Sequence, residues 1–333
     1  MKQGDSGSWT VSAEFADKTI TAVLRQFCEG QSWTQVRRLI ETRRVSINRV
    51  MTLDDSRRLR AGDLVTLAPN PLPPPPGDRD IAVRHIDDAI VVVEKPAGMV
   101  SLRHIQEASR PALWRRRQTS LDEALLRVIS QHSGRECDLS ALPPKQRRQY
   151  LRSVHRIDRD TSGLLVFART PAAEKSLIEQ FAKHIIKRTY LAVVSGQPVI
   201  GELRSRLIRD RGDGRRGSTD SETDGKLAVT HVRDVQPLGD RHSLVRCQLE
   251  TGRTHQIRIQ LSEIGHPVCG DTVYIGPEGE SETEDTTSTS RLALHASELA
   301  FAHPVTGETI AFEMPLPDDL QRLVEKLTTQ KVD

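Results

Sequence analysis

Cysteine is scarce and scattered. The four cysteines of the 333-residue chain, Cys28, Cys137, Cys247 and Cys269, form no C-x-x-C pair. That spacing removes a zinc knuckle or ribbon and offers no disulfide framework. A reducing, cytoplasmic address is expected. Long apolar runs are missing as well: nothing approaches the ~18 consecutive apolar residues of a membrane-spanning helix. The opening residues MKQGDSGSWTVSAEFADK lack the apolar stretch of a signal peptide, so neither export nor membrane insertion is expected. No G-x-x-x-x-G-K-[ST] sequence is present to cradle a nucleoside triphosphate. Nor does one sign of charge dominate: 48 basic and 45 acidic residues leave a formal charge of only +3.

What is present is enough to fold. A 36% hydrophobic fraction argues against wholesale disorder, and the length suggests about two domains at roughly 150 residues each. Arginines concentrate around 37–60 and 103–159, whereas 277–288 carries Glu278, Glu280, Glu282, Glu284 and Asp285. A basic face can hold a polyanion or simply be solvated surface, and charge alone leaves both open.

The clearest boundary is NPLPPPPGDR at 70–79, where consecutive prolines make a semi-rigid spacer. A loose polar lead is expected over 1–16 and a small module over 17–69. In that module Ile20, Val23, Leu24 and Phe27 give Lys18–Glu29 a helical period, Gly30 ends it, and Ser32 can cap a second helix carrying Val36, Leu39 and Ile40. Val45, Ile47 and Leu64–Leu67 read as short strands, with Ala61-Gly62-Asp63 as a turn. The second helix would display Arg37 and Arg38 beside Arg43 and Arg44.

The larger module, 80–328, has strand patterns at Ile90–Glu94, Gly163–Ala168, Tyr190–Val194, Ala228–Val235, Ser243–Glu250 and Leu292–Phe301. Helical patterns fall at Ser120–Ser130, Ala172–His184, Thr254–Ile264 and Pro317–Lys326, and Thr306-Gly307 reads as a hairpin turn. Many strands with few helices predict an α+β fold on a mixed, largely antiparallel sheet. Polar segments near 101–150, 209–225 and 277–290 read as excursions from that sheet.

Two polar clusters could carry chemistry. Val154-His155-Arg156-Ile157-Asp158-Arg159-Asp160-Thr161-Ser162-Gly163 leads into the apolar strand LLVFA, so a rigid strand could hold a reactive carboxylate. Capping or ion pairing by Asp158 is the structural alternative. Thr251-Gly252-Arg253-Thr254-His255-Gln256-Ile257-Arg258 follows a strand and opens a helix, an arrangement suited to an anion. His255 reads as a structural histidine, a base or a ligand, but no H-E-x-x-H spacing supports a metal. Ser162 with His155 lacks the G-x-S-x-G elbow of a hydrolase.

Together these segments resemble the RluA-type RNA pseudouridine synthases. The loop at 154–163 is similar to the family pattern H-R-L-D-x-x-T-S-G. Glu94-Lys95-Pro96-Ala97-Gly98, Lys187-Arg188-Thr189-Tyr190, GRTHQIRIQLSEIGHPVCGD at 252–271, Leu294-His295-Ala296 and HPVTGE at 303–308 follow in the family's order. The resemblance covers about residues 80–325. Residues 18–67 resemble the small α/β RNA-binding domain named after ribosomal protein S-four, with Trp33, Arg43 and Arg49 departing from its pattern of Arg, Gly and Gly.

The resemblance implies a pseudouridine synthase fold and an isomerisation of uridine in structured RNA, large-subunit ribosomal RNA before transfer RNA, by a monomer using neither metal nor organic cofactor. It assigns the chemistry to Asp158, a charge partner's role to Arg258, and base stacking with proton transfer to Tyr190. Because the base must be flipped out of folded RNA, Arg156 is expected to fill the vacated place, its planar guanidinium suiting that task. Ile257 would line the base pocket. Arg37, Arg38 and Arg44 would contact RNA, and Trp114-Arg115-Arg116-Arg117 with Lys145, Arg147, Arg148 and Arg152 could extend that face. Lys95 and His155 are expected to be structural or RNA-positioning, and Asp160 to be solvated or capping. A non-catalytic RNA-binding or assembly protein on the same scaffold is the competing reading. Glycoside hydrolysis would need a second positioned carboxyl group, for which Asp160 is the only close candidate.

Overall fold

The computed structural model describes residues 6–71, 74–103, 118–132, 138–212, 214–277 and 285–329. The chain divides into two compact units, Met1–Pro74 and Pro75–Asp333, so the division falls inside the proline-rich spacer.

In the first unit α1 (Ile20–Phe27) starts at Thr19, whose side chain accepts from the Ala22 amide, and α2 (Trp33–Glu41) starts at a reciprocal capping box between Ser32 and Gln35. Ile20, Val23, Leu24, Val36 and Ile40 form one buried core with Val45 and Val65. The sheet runs β1 (Gly7–Thr10), β4 (Leu64–Leu67), β2 (Val45–Ile47), β3 (Val50–Met51). The expected loose lead is therefore corrected in part. Residues 7–10 pair antiparallel with 64–67, and Trp9 stacks on Phe27 at 5.1 Å. One aromatic among Gly, Ser and Thr is too weak a pattern to reveal that strand.

Both turns that depart from glycine keep a glycine-like backbone. Arg43 (φ 62°) ends α2, its amide bonding to the Ile40 carbonyl and the Arg44 amide to that of Leu39, which is a Schellman closure. Asn48 (φ 49°) and Arg49 (φ 68°) join β2 to β3, matching a type I′ hairpin. Left-handed arginine costs about 1–2 kcal/mol relative to its preferred regions.

In the second unit the sheet order is β11 (Gly217–Thr219), β10 (Gly201–Ile208), β12 (Lys226–Leu238), β13 (His242–Leu249), β9 (Lys187–Ser195), β14 (Leu294–Ala302), β8 (Ser162–Ala168), β6 (Ile90–Lys95), β5 (Ala82–Ile86). β7 (Arg152–Ser153) adds to β8, and β15 (Thr309–Glu313) adds to β14. Among the described residues β8 and β14 form the one parallel pair. Alternate residues of β6 enter different cores, Val91 and Val93 one and Ile90 and Val92 the other, so both faces are covered and the strand reads as an unbroken apolar run. α3 (Leu121–His132) and α7 (Asp318–Thr329) supply the first core through Leu121, Leu125, Ile129, Leu320 and Leu323. α5 (Pro171–Ala182) packs Ala173 and Leu177 into the second. The one-turn α4 (Pro144–Arg147) and α6 (Gln256–Glu263) complete the seven helices of the described residues.

The segments read as excursions are only partly so. α3 is buried within 101–150, and β11 within 209–225 pairs with β10. The G-x-G-x-x-G spacing at 212–217 joins antiparallel strands and not a strand to a helix, so it lacks the context of a dinucleotide site. Where β8 meets β14, Gly163 has φ 120°, and a Cβ there would lie 2.2 Å from the Ala296 carbonyl oxygen. Only glycine permits that approach.

Candidate active site

A cavity of about 460 Å³ is walled by the loop that precedes β8, the start of β9 and the turn that opens α6. Asp158 lies in the first of these, its side chain 16% exposed. The residues on either side of it are pinned. Ser101 Oγ donates to the Ile157 carbonyl at 2.6 Å and accepts from the Ile157 amide at 3.2 Å. The wholly buried Lys95 ammonium donates to the carbonyls of Pro96, Met99 and Arg159 at 2.9, 2.8 and 2.9 Å. All three of its protons are engaged, which is a structural role. His155 Nε2 accepts from the Val166 amide at 3.0 Å, and burial drives its pKa down to about 3, so the ring is neutral and fixes the loop to β8. A carboxylate between anchors of this kind has its orientation set before substrate arrives. Asp160 is taken by Arg159, with two contacts of 3.0 Å.

Arg258, on α6, presents Nη1 at 3.5 Å from Asp158 Oδ2. Its shorter contacts go elsewhere: Nε and Nη2 fork onto Asp271 at 2.6 and 2.9 Å. The expectation of a simple Asp158–Arg258 pair is thus amended to one guanidinium serving two carboxylates. Asp271 has no exposed side-chain area and also accepts from the amides of Val273 and Tyr274. Burial alone would lower the Arg258 pKa; the hydrogen bonds and charge of Asp271, with Asp158 behind it, raise it above the usual arginine value. The cation is therefore permanent and its plane is fixed, and it stands beside the Asp158 carboxylate.

Tyr190 lines the same cavity from β9. Burial pushes its phenol up to about 12, Arg188 opposing and Asp158 reinforcing the shift, so it stays protonated at neutral pH. Ile257 is buried, lines the cavity and belongs to the apolar core at once. Arg156 is exposed at the wall, without a protein partner among the described residues. His255 adopts φ 60° at the start of α6, Nδ1 hydrogen-bonded to the Tyr274 hydroxyl at 2.8 Å and Nε2 at 3.9 Å from Asp158. Burial lowers its pKa. Among the described residues no group of three His, Cys, Asp or Glu is placed to hold a metal ion.

Asp158, Tyr190, Arg258, Arg156 and Ile257 therefore meet at one cavity. Arg37, Arg38 and Arg44 belong to the other unit. There Arg37 is exposed and 3.7 Å from Asp55, Arg38 is exposed, and Arg44 donates to the Ala68 carbonyl at 2.7 Å. Trp114, Arg115, Arg116 and Arg117 of the basic insertion lie outside the described residues. Of the arginines grouped with them, Arg147 pairs with Glu123 and both Arg148 and Arg152 with Glu174, which engages them within the protein. Sequence reasoning missed Asp271, Tyr274 and Arg188. Asp271 closes the GRTHQIR–GD segment, and an acid that ends an otherwise apolar GHPVC stretch was the available signal. Arg188 stands two residues before Tyr190 on one strand, a spacing that puts both on one face.

A family model described as RNA pseudouridylate synthase matches residues 89–263. The ribosomal large subunit pseudouridine synthase D of Zymomonas mobilis is 38% identical over 263 residues, 77% of each chain. The protein of the same name from Neisseria meningitidis is 34% identical over 96% of this chain and 81% of its own. An uncharacterized RNA pseudouridine synthase of Bacillus subtilis is 35% identical over 96% of this chain and 97% of its own. Among solved structures, human RNA pseudouridylate synthase domain containing 4 superposes with a TM-score of 0.55 at 21% identity, over 74% of this chain and 92% of its own, a likeness of fold. No described helix is long and apolar enough to cross a membrane. With a family match over more than half of its residues and relatives aligned along nearly all of it, the chain belongs to the RNA pseudouridylate synthases, isomerases that act on RNA.

Proposed function

We propose that the chain converts uridines of large-subunit ribosomal RNA to pseudouridine, with Asp158 as the catalytic carboxylate. The observation that carries this reading is one carboxylate, pinned on both sides, on the wall of a cavity and held beside a permanent cation. The overall change is balanced: the N1–C1′ bond breaks, a C5–C1′ bond forms, C5 loses a proton and N1 gains one. The Asp158 carboxylate can serve this rearrangement as nucleophile or as base. Tyr190 stacks on the base and, protonated, can take part in moving the proton. Ile257 packs the ring. Arg156, unpartnered among the described residues and exposed, occupies the stack left by the flipped nucleotide. Neither metal nor organic cofactor enters the scheme.

In the same reading residues 17–69 form an S-four-like RNA-binding domain that meets RNA through Arg37, Arg38 and Arg44. The protein works as a monomer in the cytoplasm, where its substrate is. The names of the relatives support large-subunit RNA as that substrate. The test is a transcriptome-wide map of pseudouridine in cells with wild-type protein, without it, and with Asp158→Ala. Large-subunit sites are expected to vanish in both altered strains. Loss only in the strain without protein would remove Asp158 from its role, and no change in either would favour an RNA-binding or assembly factor.

A further inference from the structure

Several buried or half-buried arginines of the second unit are met by carboxylates. Arg103 and Arg147 share Glu123, Arg152 pairs with Glu174, and Arg258 forks onto Asp271. Arg188 is as buried as Arg258, each 8% exposed, yet has no carboxylate partner among the described residues. One nitrogen, Nη2, donates to the Glu250 carbonyl at 3.0 Å, and the guanidinium carbon lies 5.4 Å over the Phe181 ring. Nε is buried without a hydrogen-bond partner. Nη1 lies against Gly252, where a Cβ would come within 2.6 Å of it, so the glycine leaves the space the guanidinium fills.

Burial lowers the Arg188 pKa; Tyr190 opposes that shift, and the charge of Arg253, exposed on the same wall, adds to it. His184 lines the wall too and shares the Glu250 carbonyl, through Nδ1 at 2.8 Å. A desolvated guanidinium on the wall of a cavity, with no carboxylate to meet it among the described residues and Arg253 beside it, is unfavourable until an anion arrives. Arg188 and Tyr190 alternate on one face of β9, so an anion held at Arg188 would sit one residue-pair along the strand from the base pocket.

We infer that Arg188, flanked by Arg253 and His184, forms a subsite for an RNA backbone phosphodiester next to the flipped uridine, and so holds the ribose against Asp158. This rests on the proposed reaction and adds to it a phosphate-positioning residue. Arg188 acts on the phosphate and leaves the bond-making atoms to Asp158.

The experiment uses the full-length protein and unmodified large-subunit ribosomal RNA made by in vitro transcription. Binding is measured over a range of KCl concentrations, and single-turnover pseudouridine formation over a range of enzyme concentrations. For Arg188→Gln the enzyme concentration giving half the maximal rate should rise roughly tenfold, and the slope of log affinity against log salt should shrink by about 0.7–0.9, the loss of one phosphate contact. Arg188→Lys should recover the slope, because it keeps the charge, but only part of the affinity. Gly252→Ala, which displaces the guanidinium without removing it, should weaken binding in the same direction and serves if Arg188→Gln does not fold. An unchanged salt slope in folded Arg188→Gln, or a slope that Arg188→Lys does not restore, overturns the subsite. Inorganic phosphate at constant ionic strength should leave wild-type binding in place. If it displaces RNA from wild type but not from Arg188→Gln, the site takes the free anion and the RNA assignment fails. Wild-type protein that binds this RNA with the Arg188-dependent slope but forms no pseudouridine would overturn the proposed reaction while leaving the subsite standing.

Discussion

Arg258 and Arg188 line one cavity and are equally buried, but their surroundings are built on opposite terms. Around Arg258 the fold supplies a fully buried carboxylate in bidentate contact and a second at 3.5 Å. Around Arg188 it supplies a carbonyl, an aromatic face and further positive charge. The first arrangement is complete before substrate binds; the second is left one anion short. The difference separates a residue that organises the reacting group from one that waits for the substrate.

The largest effect that would sharpen this contrast is on the carboxylate Arg258 serves. Asp158→Asn should lower single-turnover pseudouridine formation by on the order of 10⁴-fold while the unfolding curve stays close to wild type. A variant that retains activity would mean that Arg258 organises nothing catalytic. Next in size, Arg258→Met and Arg188→Met should move stability in opposite directions. Removing Arg258 strands Asp271 and should cost about 3–5 kcal/mol in urea unfolding, whereas removing Arg188 relieves an unmatched charge and should leave stability unchanged or raise it by about 1 kcal/mol or more. If both variants destabilise alike, the two sites are not different in kind.

Acid offers a gentler probe of the Arg188 side. His155 and His295 titrate at about 3 and about 4 in the folded chain because burial comes first and Arg188 or Arg291 second. Their folded values lie below the unfolded value near 6.5, so their contribution is present above that pH and is lost as pH falls, down to about 4 for His295 and about 3 for His155. Each can steepen the loss by up to about 1.4 kcal/mol per pH unit. His295→Gln should flatten the pH dependence of the urea midpoint between 6.5 and 4. The smallest effect is local: Arg188→Gln should raise the His155 pKa, read by NMR titration of its ring. A pKa that stays put would place Arg188's charge too far from the loop to matter.

Much of this site was legible from residue order alone. The polar loop ahead of LLVFA, the Tyr at the head of β9 and the arginine one turn into α6 each sit beside a strong apolar pattern that fixes where the backbone goes. Asp271 was harder to see because its role comes from contact with Arg258 thirteen residues away, across a turn that no periodicity describes. Arg188 was hidden by the opposite problem: its meaning lies in a missing partner, and sequence displays residues but not vacancies. The fold shows the same division. β6, β8, β9, β13 and β14 carry apolar runs that announce them, whereas β10, with GELRSRLI, and the three-residue β11 lie at the polar end of the sheet. Their pairing is dictated by neighbours more than by their own side chains.

The contact between Gly163 and Ala296 has a bearing on how this scaffold could be altered. A Cβ at 163 would lie 2.2 Å from a backbone oxygen of the neighbouring strand, and Ser162 beside it is hydrogen-bonded to the buried His295. The stretch that delivers Asp158 therefore has almost no tolerance for side-chain volume, and a randomised library across 162–163 would return chiefly unfolded clones. The connection at 209–225 leaves the sheet at its far end but returns to the site from the other side: Ser218 bonds Glu263 of α6 and Arg215 donates to the Val273 carbonyl, two residues from Asp271. Changes of length or charge there would be felt at Arg258 before they reached the carboxylate.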